Sequence, residues 1–283
     1  MNTLVNPRTT EYLQLTRPDG TTGRIAYDDQ GTGPLVLLAP GMGTTRATFR
    51  HLVPELLKAG YRVVTTDYRG LGESDTGWAE YSSAVTAEDL AALIRHLDAG
   101  PALLYSNSYT SASSVHLAAD HPELLRGAIL AGPFVRDLPA PNVIAKVIAS
   151  LMTKPMLTRT LWMVWLPHMF PKRPADYAQM RAAVDANLRE PGRAAVFARM
   201  CAAGHHAAEA ALPRAKASAV PTLVVMGTAD EDFPDAAAEA HFVAGSLDAG
   251  LELLDGYGHQ PHEETPERIA EIIRRFDPAA ANQ

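Results

Sequence analysis

The stretch LLYSNSYTSASS, residues 103–114, decides the fold class because an apolar run typical of a buried strand ends within it. Helix-compatible residues follow, and five of the nine residues from Ser106 to Ser114 are serine. Serine is common in turns and at helix starts. Small residues are also required where a strand turns sharply into a helix, because the residues two before and two after the turn approach closely. The stretch therefore predicts a strand, a tight turn at Ser108 and a helix.

A side chain on such a turn projects above the sheet, where it can act as a nucleophile. The usual pattern is Gly-x-Ser-x-Gly, but Ser106 and Thr110 stand in place of the two glycines. Ser108 is favoured because small residues flank it symmetrically and it immediately precedes the predicted helix. Ser106 remains a second candidate for the nucleophile.

Short β-type runs alternate with helical patterns along most of the chain, which predicts an α/β fold with a mostly parallel sheet. Two runs around the turn-rich RPDGTT predict a hairpin at the sheet edge. Apolar stripes predict helices over 49–57 and 90–97, the second beginning at a capping box formed by Thr86 and Asp89. The predicted buried strands are LVLLA (35–39), YRVVTT (61–66), ALLY (102–105), GAILAG (127–132), TLVVM (222–226) and LELL (251–254).

The alternation stops between residues 134 and 213, where helical patterns are interrupted by prolines that include Pro139 and Pro141. We interpret 134–213 as a helical cap inserted into a core made of residues 1–133 and 214–283. The large apolar side chains of the cap fit simple packing against the core. Trp162 and Trp165 are the cap residues that we expect to contact substrate.

A serine nucleophile needs a base within hydrogen-bond reach, and the base needs an orienting partner. His259 follows the strand 251–254, and Asp230 follows the strand 222–226, so both belong at the carboxyl edge of the sheet, where such sheets place their ligands. His262 is the alternative base. Asp232 is the alternative acid.

Five motifs in order resemble the α/β-hydrolase superfamily, in its cap-bearing esterase and lactonase-like branch. The resemblance implies an α/β-hydrolase fold, a mostly parallel twisted sheet with helices on both faces and an inserted cap. It also implies the chain order nucleophile, acid, histidine. The motifs are GRIAYDDQGTGPLVLLAPGMG (23–43), TTDYRGLGESD (65–75), the turn at Ser108, GTAD (227–230) and GHQPHEETPE (258–267).

On the matching positions, the resemblance implies Ser108 as nucleophile, His259 as general base and acid, and Asp230 as its orienting partner. It implies an oxyanion hole made of the backbone N–H groups of Tyr109 and Met42, with Gly43 as the competitor of Met42. Met42 and Tyr109 are expected to contact substrate as well. Pro40-Gly41 stands where the family usually has His-Gly, so the hydrogen bonds that support this loop must differ.

A serine at the turn argues against chemistry that needs a carboxylate nucleophile. We expect hydrolysis of a carboxylic ester or lactone of a small, largely apolar substrate through an acyl-enzyme, with no cofactor. Carbon–carbon bond hydrolysis of a diketone and acyl transfer to an alcohol use the same triad and remain alternatives. A receptor that keeps the fold without catalysis is the alternative from another class.

The composition limits the classes of binding partner that we expect. A net charge of −7 without a Lys/Arg run argues against nucleic acid. No apolar run approaches the ~18 residues of a membrane span, and the first residues lack a secretory signal, so we expect no membrane insertion and a cytoplasmic location. Cys201 is the single cysteine, and the adjacent His205 and His206 point to different sides of any helix, so we expect no metal site. The sequence does not determine the oligomeric state.

Overall fold

The computed structural model describes residues 10–138 and 142–279. Within these residues the chain forms one eight-stranded sheet whose strands recur along the whole length. The strands are β1 (Thr10–Thr16), β2 (Thr22–Gln30), β3 (Leu35–Ala39), β4 (Arg62–Thr66), β5 (Ala102–Asn107), β6 (Leu125–Ala131), β7 (Thr222–Gly227) and β8 (Gly250–Leu254).

The strand order is β1-β2-β4-β3-β5-β6-β7-β8. β2 pairs antiparallel with both β1 and β4, whereas all pairs from β4 to β8 are parallel. The predicted hairpin is therefore confirmed as β1 and β2, with β1 at the sheet edge. Because the strands from β3 to β8 run in one direction, their carboxyl ends meet along one edge of the sheet.

Helices cover both faces of the sheet, which explains why the central strands are apolar throughout rather than alternating. In β3, Leu35 and Leu37 join the core on one face and Val36 and Leu38 join the core on the other. The helices are α1 (Leu52–Lys58), α2 (Ser83–Leu97), α3 (Tyr109–Asp120), α4 (Val143–Met152), α5 (Pro155–Trp165), α6 (Tyr177–Arg189), α7 (Arg193–Ala203), α8 (His206–Ala217), α9 (Ala236–Leu247), α10 (Pro261–Glu264) and α11 (Pro266–Phe276).

Five helices, α4 to α8, lie between β6 and β7. Residues 139–141, with the predicted breaks at Pro139 and Pro141, lie outside the described residues. The predicted cap boundary at residue 213 falls inside α8, which packs against α3 on the face of the sheet. Residues 206–217 therefore belong with the helices that cover the sheet. In the described part of the chain, no helix combines the length and apolar character that crossing a bilayer requires.

The predicted capping box at Thr86 and Asp89 is wrong. The N-cap of α2 is Ser82, four residues earlier, because its side chain accepts a hydrogen bond from Val85 N at 3.4 Å. Thr86 lies inside the first turn and donates to Ser82 O. Asp89 instead pairs with Arg69, at 2.5 Å.

Candidate active site

The tight turn predicted at Ser108 lies between β5 and α3. Ser108 has φ 59° and ψ −121°, a conformation that non-glycine residues rarely adopt. Its backbone N–H donates to Ala131 O at 2.8 Å, which holds the turn against the end of β6. Ser108 is buried but retains 7% exposure, whereas Ser106 has none.

We call the tight turn at Ser108 the elbow. Ser106 and Thr110, which replace the two glycines of the usual pattern there, have hydrogen-bond partners within the structure. Ser106 Oγ accepts from Ser114 Oγ at 2.8 Å and lies 3.3 Å from Ile129 O, so the second candidate nucleophile is fully buried in a hydrogen-bonded site. Thr110 Oγ1 lies 3.0 Å from Ala39 O and 2.9 Å from Pro40 O. Thr110 therefore connects the elbow to the loop that follows β3.

The loop that follows β3 passes directly beside Ser108. A Cβ placed on Gly41 would lie 3.2 Å from Ser108 Cβ. Two hydroxyls support the loop where the family usually has His-Gly, since Tyr68 OH and Thr110 Oγ1 both reach Pro40 O. Tyr109 is the first residue of α3, so its backbone N–H has no partner within the helix and lies next to Ser108.

The predicted acid and base meet at the carboxyl edge of the sheet. His259 Nδ1 lies 2.7 Å from Asp230 Oδ2, and both side chains are fully buried. Gly132, just after β6, makes room for this pair, because a Cβ there would lie 2.9 Å from His259 Nδ1. This bond fixes the ring orientation and leaves Nε2 for proton transfer.

Asp232, the alternative acid, lies on the other side of the same ring. Its Oδ2 is 3.4 Å from His259 Nε2, and its Oδ1 accepts a hydrogen bond from Trp165 Nε1. Among the described residues, His259 Nε2 has no hydrogen-bond partner, so the bond from Ser108 to His259 is not formed. In unliganded enzymes such bonds are often long and shorten when substrate binds.

Two carboxylates control the charge of the imidazole. Burial alone would lower the pKa of His259, but the negative charges of Asp230 and Asp232 outweigh it and raise that pKa to about 9. Glu264 on α10 adds to the same effect. Burial raises the pKa of Asp232, and His259 opposes that rise. Both carboxylates therefore favour the charged form of His259.

His262, the alternative base, is placed elsewhere. It is fully buried between Thr48 Oγ1, 3.1 Å from Nε2, and Tyr105 OH, 3.3 Å from Nδ1. Burial lowers the pKa of His262 to about 3, so it is neutral. Both ring nitrogens are occupied by core hydroxyls, which makes His262 a structural residue.

Aromatic side chains surround the imidazole of His259. The ring centroids of Phe134 and Phe233 lie 5.8 Å and 6.1 Å from it, and they stack on each other at 4.5 Å. His205 stacks on Phe134 at 5.7 Å, and burial lowers its pKa. Aromatic rings therefore line part of the surroundings of His259, beside the two carboxylates.

Four residues were expected to contact substrate, and they lie in different surroundings. They are Trp162, Trp165, Tyr109 and Met42. Trp162 is buried, and its Nε1 donates to Gly43 O at 3.0 Å, so it supports the loop that follows β3. Trp165 donates its indole N–H to Asp232. The Tyr109 side chain is buried and donates to Tyr81 O at 2.8 Å. Met42 is partly buried, with its sulfur 3.9 Å from Cys201 Sγ.

Sequence reasoning missed two buried amides, those of Asn107 and Gln260, which adjoin Ser108 and His259 in the sequence. Asn107 Nδ2 donates to His259 O at 2.9 Å and thus connects the elbow to the histidine loop. Gln260 follows His259 and is fully buried, and its Nε2 would lie 3.6 Å from a Cβ on Gly41. Their places beside the candidate nucleophile and base were the available sequence signal.

Ligand atoms of Asp230, Asp232 and His259 lie within 4.8 Å of one another, a spacing that also suits a metal ion. His259 Nδ1 is already engaged by Asp230. The ring therefore bridges the two carboxylates, and we interpret the cluster as an acid–base site.

The sheet topology, the elbow after β5 and the histidine loop after β8 together define an α/β hydrolase. The chain belongs to the family described as "Serine aminopeptidase, S33", whose family model matches residues 32–266. It is thus a hydrolase of the α/β class, as the motif resemblance predicts.

Individual proteins match this chain at low identity or over only part of its length. The chain is 26% identical over 286 residues to a 2-hydroxy-6-oxononadienedioate/2-hydroxy-6-oxononatrienedioate hydrolase of Paraburkholderia xenovorans, covering 98% of both chains. It is 38% identical over 107 residues to BpoC of Mycobacterium tuberculosis, which spans 38% of this chain and 40% of that protein. A thermophilic esterase from Thermogutta terrifontis, 23% identical, aligns with a TM-score of 0.74 over 94% of this chain and 97% of its own, which shows the shared fold.

Proposed function

We propose that the protein is a serine hydrolase that cleaves a carboxylic ester or lactone of a small, largely apolar substrate. The observation that carries the proposal is the conformation of Ser108, with φ 59° at the junction of β5 and α3. A serine held in this strained conformation, beside a loop that approaches its Cβ closely, is typical of an activated nucleophile.

The proposed reaction begins with attack by Ser108 Oγ on the carbonyl carbon. His259 Nε2 accepts the serine proton, and Asp230 stabilises the imidazolium that forms. The backbone N–H groups of Tyr109 and Met42, or Gly43 in its place, donate to the developing oxyanion. Collapse transfers the proton from His259 to the leaving alcohol oxygen, and a water activated by His259 then hydrolyses the acyl-enzyme.

The proposed mechanism requires a neutral His259, because only the neutral ring can accept a proton. Asp232 and Asp230 instead favour its charged form. Trp165 in the cap donates to the same carboxylate. We assign Asp232 the role of a positioning residue that holds the imidazolium in the resting enzyme.

The surroundings of the base support a neutral, largely apolar substrate. Phe134 and Phe233 contribute apolar surface on one side, and the carboxylate of Asp232 repels anions at Nε2. The Paraburkholderia relative is named for a dioate, so carbon–carbon bond hydrolysis is the second candidate. The negative charge of Asp232 makes a dianionic substrate the less favourable choice.

A panel of soluble substrates tests the proposal. We expect p-nitrophenyl esters of neutral acyl chains and simple lactones to be hydrolysed, with preference for acyl chains longer than acetate. A 2-hydroxy-6-oxo dienedioate and a hemisuccinate ester are the dianionic and monoanionic comparisons. Faster hydrolysis of either anion than of every neutral substrate would contradict the assignment, and Ser108→Ala is the blank.

A further inference from the structure

Exposed large apolar side chains are concentrated on α4 and α5. Eight of the ten in the described residues lie there, and only Tyr12 and Leu253 lie elsewhere. Soluble monomers rarely leave a large apolar patch open to water, so such a patch marks an interaction site. The eight are Val143, Ile144, Val147, Ile148, Met156, Leu157, Val164 and Trp165.

The helical period places the apolar residues of α4 together. Val143 and Val147, and likewise Ile144 and Ile148, are four residues apart and so share a face. None of the side chains of α4 is buried, although α4 packs beside α5. An amphipathic helix normally buries such a face, and here it is between 44% and 77% exposed at these four residues.

The charges of the same segment favour one kind of partner. From residue 138 to 174 the sequence contains five Lys and Arg and no Asp or Glu. The remainder of the chain has 20 Lys and Arg against 32 Asp and Glu. Lys146 and Lys154 on this segment are exposed. An apolar face bordered by lysines, on an otherwise acidic protein, is complementary to an anionic lipid surface.

We propose that α4 and α5 dock the protein on the surface of an anionic lipid bilayer, without spanning it. The apolar side chains enter the boundary between headgroups and acyl chains, and the lysines contact lipid phosphates. Trp165, 39% exposed, suits the headgroup level where indole rings accumulate. A symmetric contact between two copies would instead bring the same lysines together, which like-charge repulsion disfavours.

Trp165 also places this surface next to the candidate active site. Its Nε1 donates to Asp232 Oδ1, and Asp232 Oδ2 lies 3.4 Å from His259 Nε2. An apolar substrate dissolved in the bilayer would then be close to the base. The docking itself does not depend on the proposed function, because it concerns residues outside the proposed triad.

Flotation with lipid vesicles tests the docking. We expect the full chain to float with vesicles of phosphatidylcholine and phosphatidylglycerol in equal parts, and to float less with phosphatidylcholine alone or at high salt. Val147→Glu should reduce the partition coefficient on the order of ten-fold. Lys146→Glu should reduce it by about five-fold or more. Leu253→Glu, at an exposed position on β8, is the matched control and should bind as wild type.

Two readouts separate lipid docking from misfolding and from dimer formation. Thermal unfolding of the Glu variants should match wild type, because all three positions are exposed, and hydrolysis of a soluble aryl ester should be unchanged. Wild type that does not bind anionic vesicles would overturn the proposal. So would a wild-type dimer, seen by light scattering, that dissociates in Val147→Glu while vesicle binding stays at the level of the control.

Discussion

The imidazole of His259 is held between two carboxylates, with Asp232 Oδ2 3.4 Å from Nε2 and Asp230 Oδ2 2.7 Å from Nδ1. Asp230 orients the ring, as a triad requires. Asp232 faces Nε2, the nitrogen that accepts the serine proton in the proposed reaction. The sequence separates the two aspartates by one residue, and the structure places them at opposite nitrogens of the same ring.

The first prediction concerns the pH profile. Because the two carboxylates raise the pKa of His259 to about 9, kcat/KM of wild type should increase with pH up to that region. Asp232→Asn removes one charge but keeps an acceptor for Trp165, so the rising limb should move down by about one pH unit or more. Hydrolysis of an aryl ester, assayed from pH 6 to 10, measures the rising limb of wild type and of Asp232→Asn.

Glu231→Gln is the control for this prediction, since its side chain is exposed and pairs with His168 rather than with His259. The rising limb of kcat/KM against pH in Glu231→Gln should coincide with that of wild type. An Asp232→Asn limb that stays in place, or moves upward, would show that Asp232 does not hold the imidazolium.

The second prediction concerns the oxyanion loop. Gly43 has φ 74°, and a Cβ there would lie 2.6 Å from Trp162 Cε2. Gly43→Ala should therefore displace the loop and lower kcat by a factor of about 100 or more, the effect of losing one oxyanion donor. Steady-state kinetics should show a much smaller change in KM.

Gly77→Ala provides the matched control for Gly43→Ala, because Gly77 has φ 84° but no atom within 4 Å of an added Cβ. Both variants carry the same kind of backbone strain, and only one disturbs the loop. Equal losses of kcat in the two variants would refute the role given to the loop.

The third prediction concerns Thr110, which stands in place of an elbow glycine. Its hydroxyl lies within 3.0 Å of Ala39 O and 2.9 Å of Pro40 O. Thr110→Val keeps the size and removes the hydroxyl, so the loop loses a buried hydrogen bond of about 1–3 kcal/mol. We expect kcat/KM to fall about ten-fold, with recovery in Thr110→Ser. Wild-type activity in the valine variant would mean that the hydroxyl is dispensable.

The fourth prediction concerns stability in acid. The pKa of His262 is about 3 in the folded protein, below its ordinary value of 6.5, because burial disfavours the charged form. Below pH 6.5 the unfolded chain gains a proton that the folded chain excludes. The free energy of unfolding should therefore fall as pH decreases towards 3, with a contribution of up to about 1.4 kcal/mol per pH unit.

Urea unfolding of wild type and His262→Gln at several pH values from 7.5 to 4 measures this contribution. The variant should be less stable at pH 7.5, because it disturbs the bonds to Thr48 and Tyr105, but its stability should depend less on pH. His168→Gln, at an exposed position, should keep the wild-type dependence. Identical slopes in wild type and His262→Gln would contradict the buried neutral state.

The fold was predictable because each apolar run is long enough for one strand and because the hairpin has a turn-rich centre. The convergence of Asp230 and His259 was also predictable, since both follow parallel strands and so meet at one edge. The direction in which each side chain points could not be predicted from the sequence. Whether Asp232 faces Nδ1, Nε2 or solvent depends on the path of a short loop, which residue types do not specify.

Other features depended on tertiary contacts. Thr86 and Ser82 both fit a helix start, and in the structure Ser82 caps α2. His259 and His262 are three residues apart, but His259 lies in the loop after β8 and His262 lies in α10, where it enters the core between Thr48 and Tyr105. The large apolar side chains of the cap were expected to pack against the core, and the exposure of those on α4 became visible only in the structure.

Covalent labelling with a fluorophosphonate tests the central claim, the nucleophilic role of Ser108, most directly. Intact mass spectrometry should show one adduct on wild type and on Ser106→Ala, and peptide mapping should place it at Ser108. Ser108→Ala should remain unlabelled and should not hydrolyse the esters. Labelling at another residue, or full esterase activity in Ser108→Ala, would contradict the account.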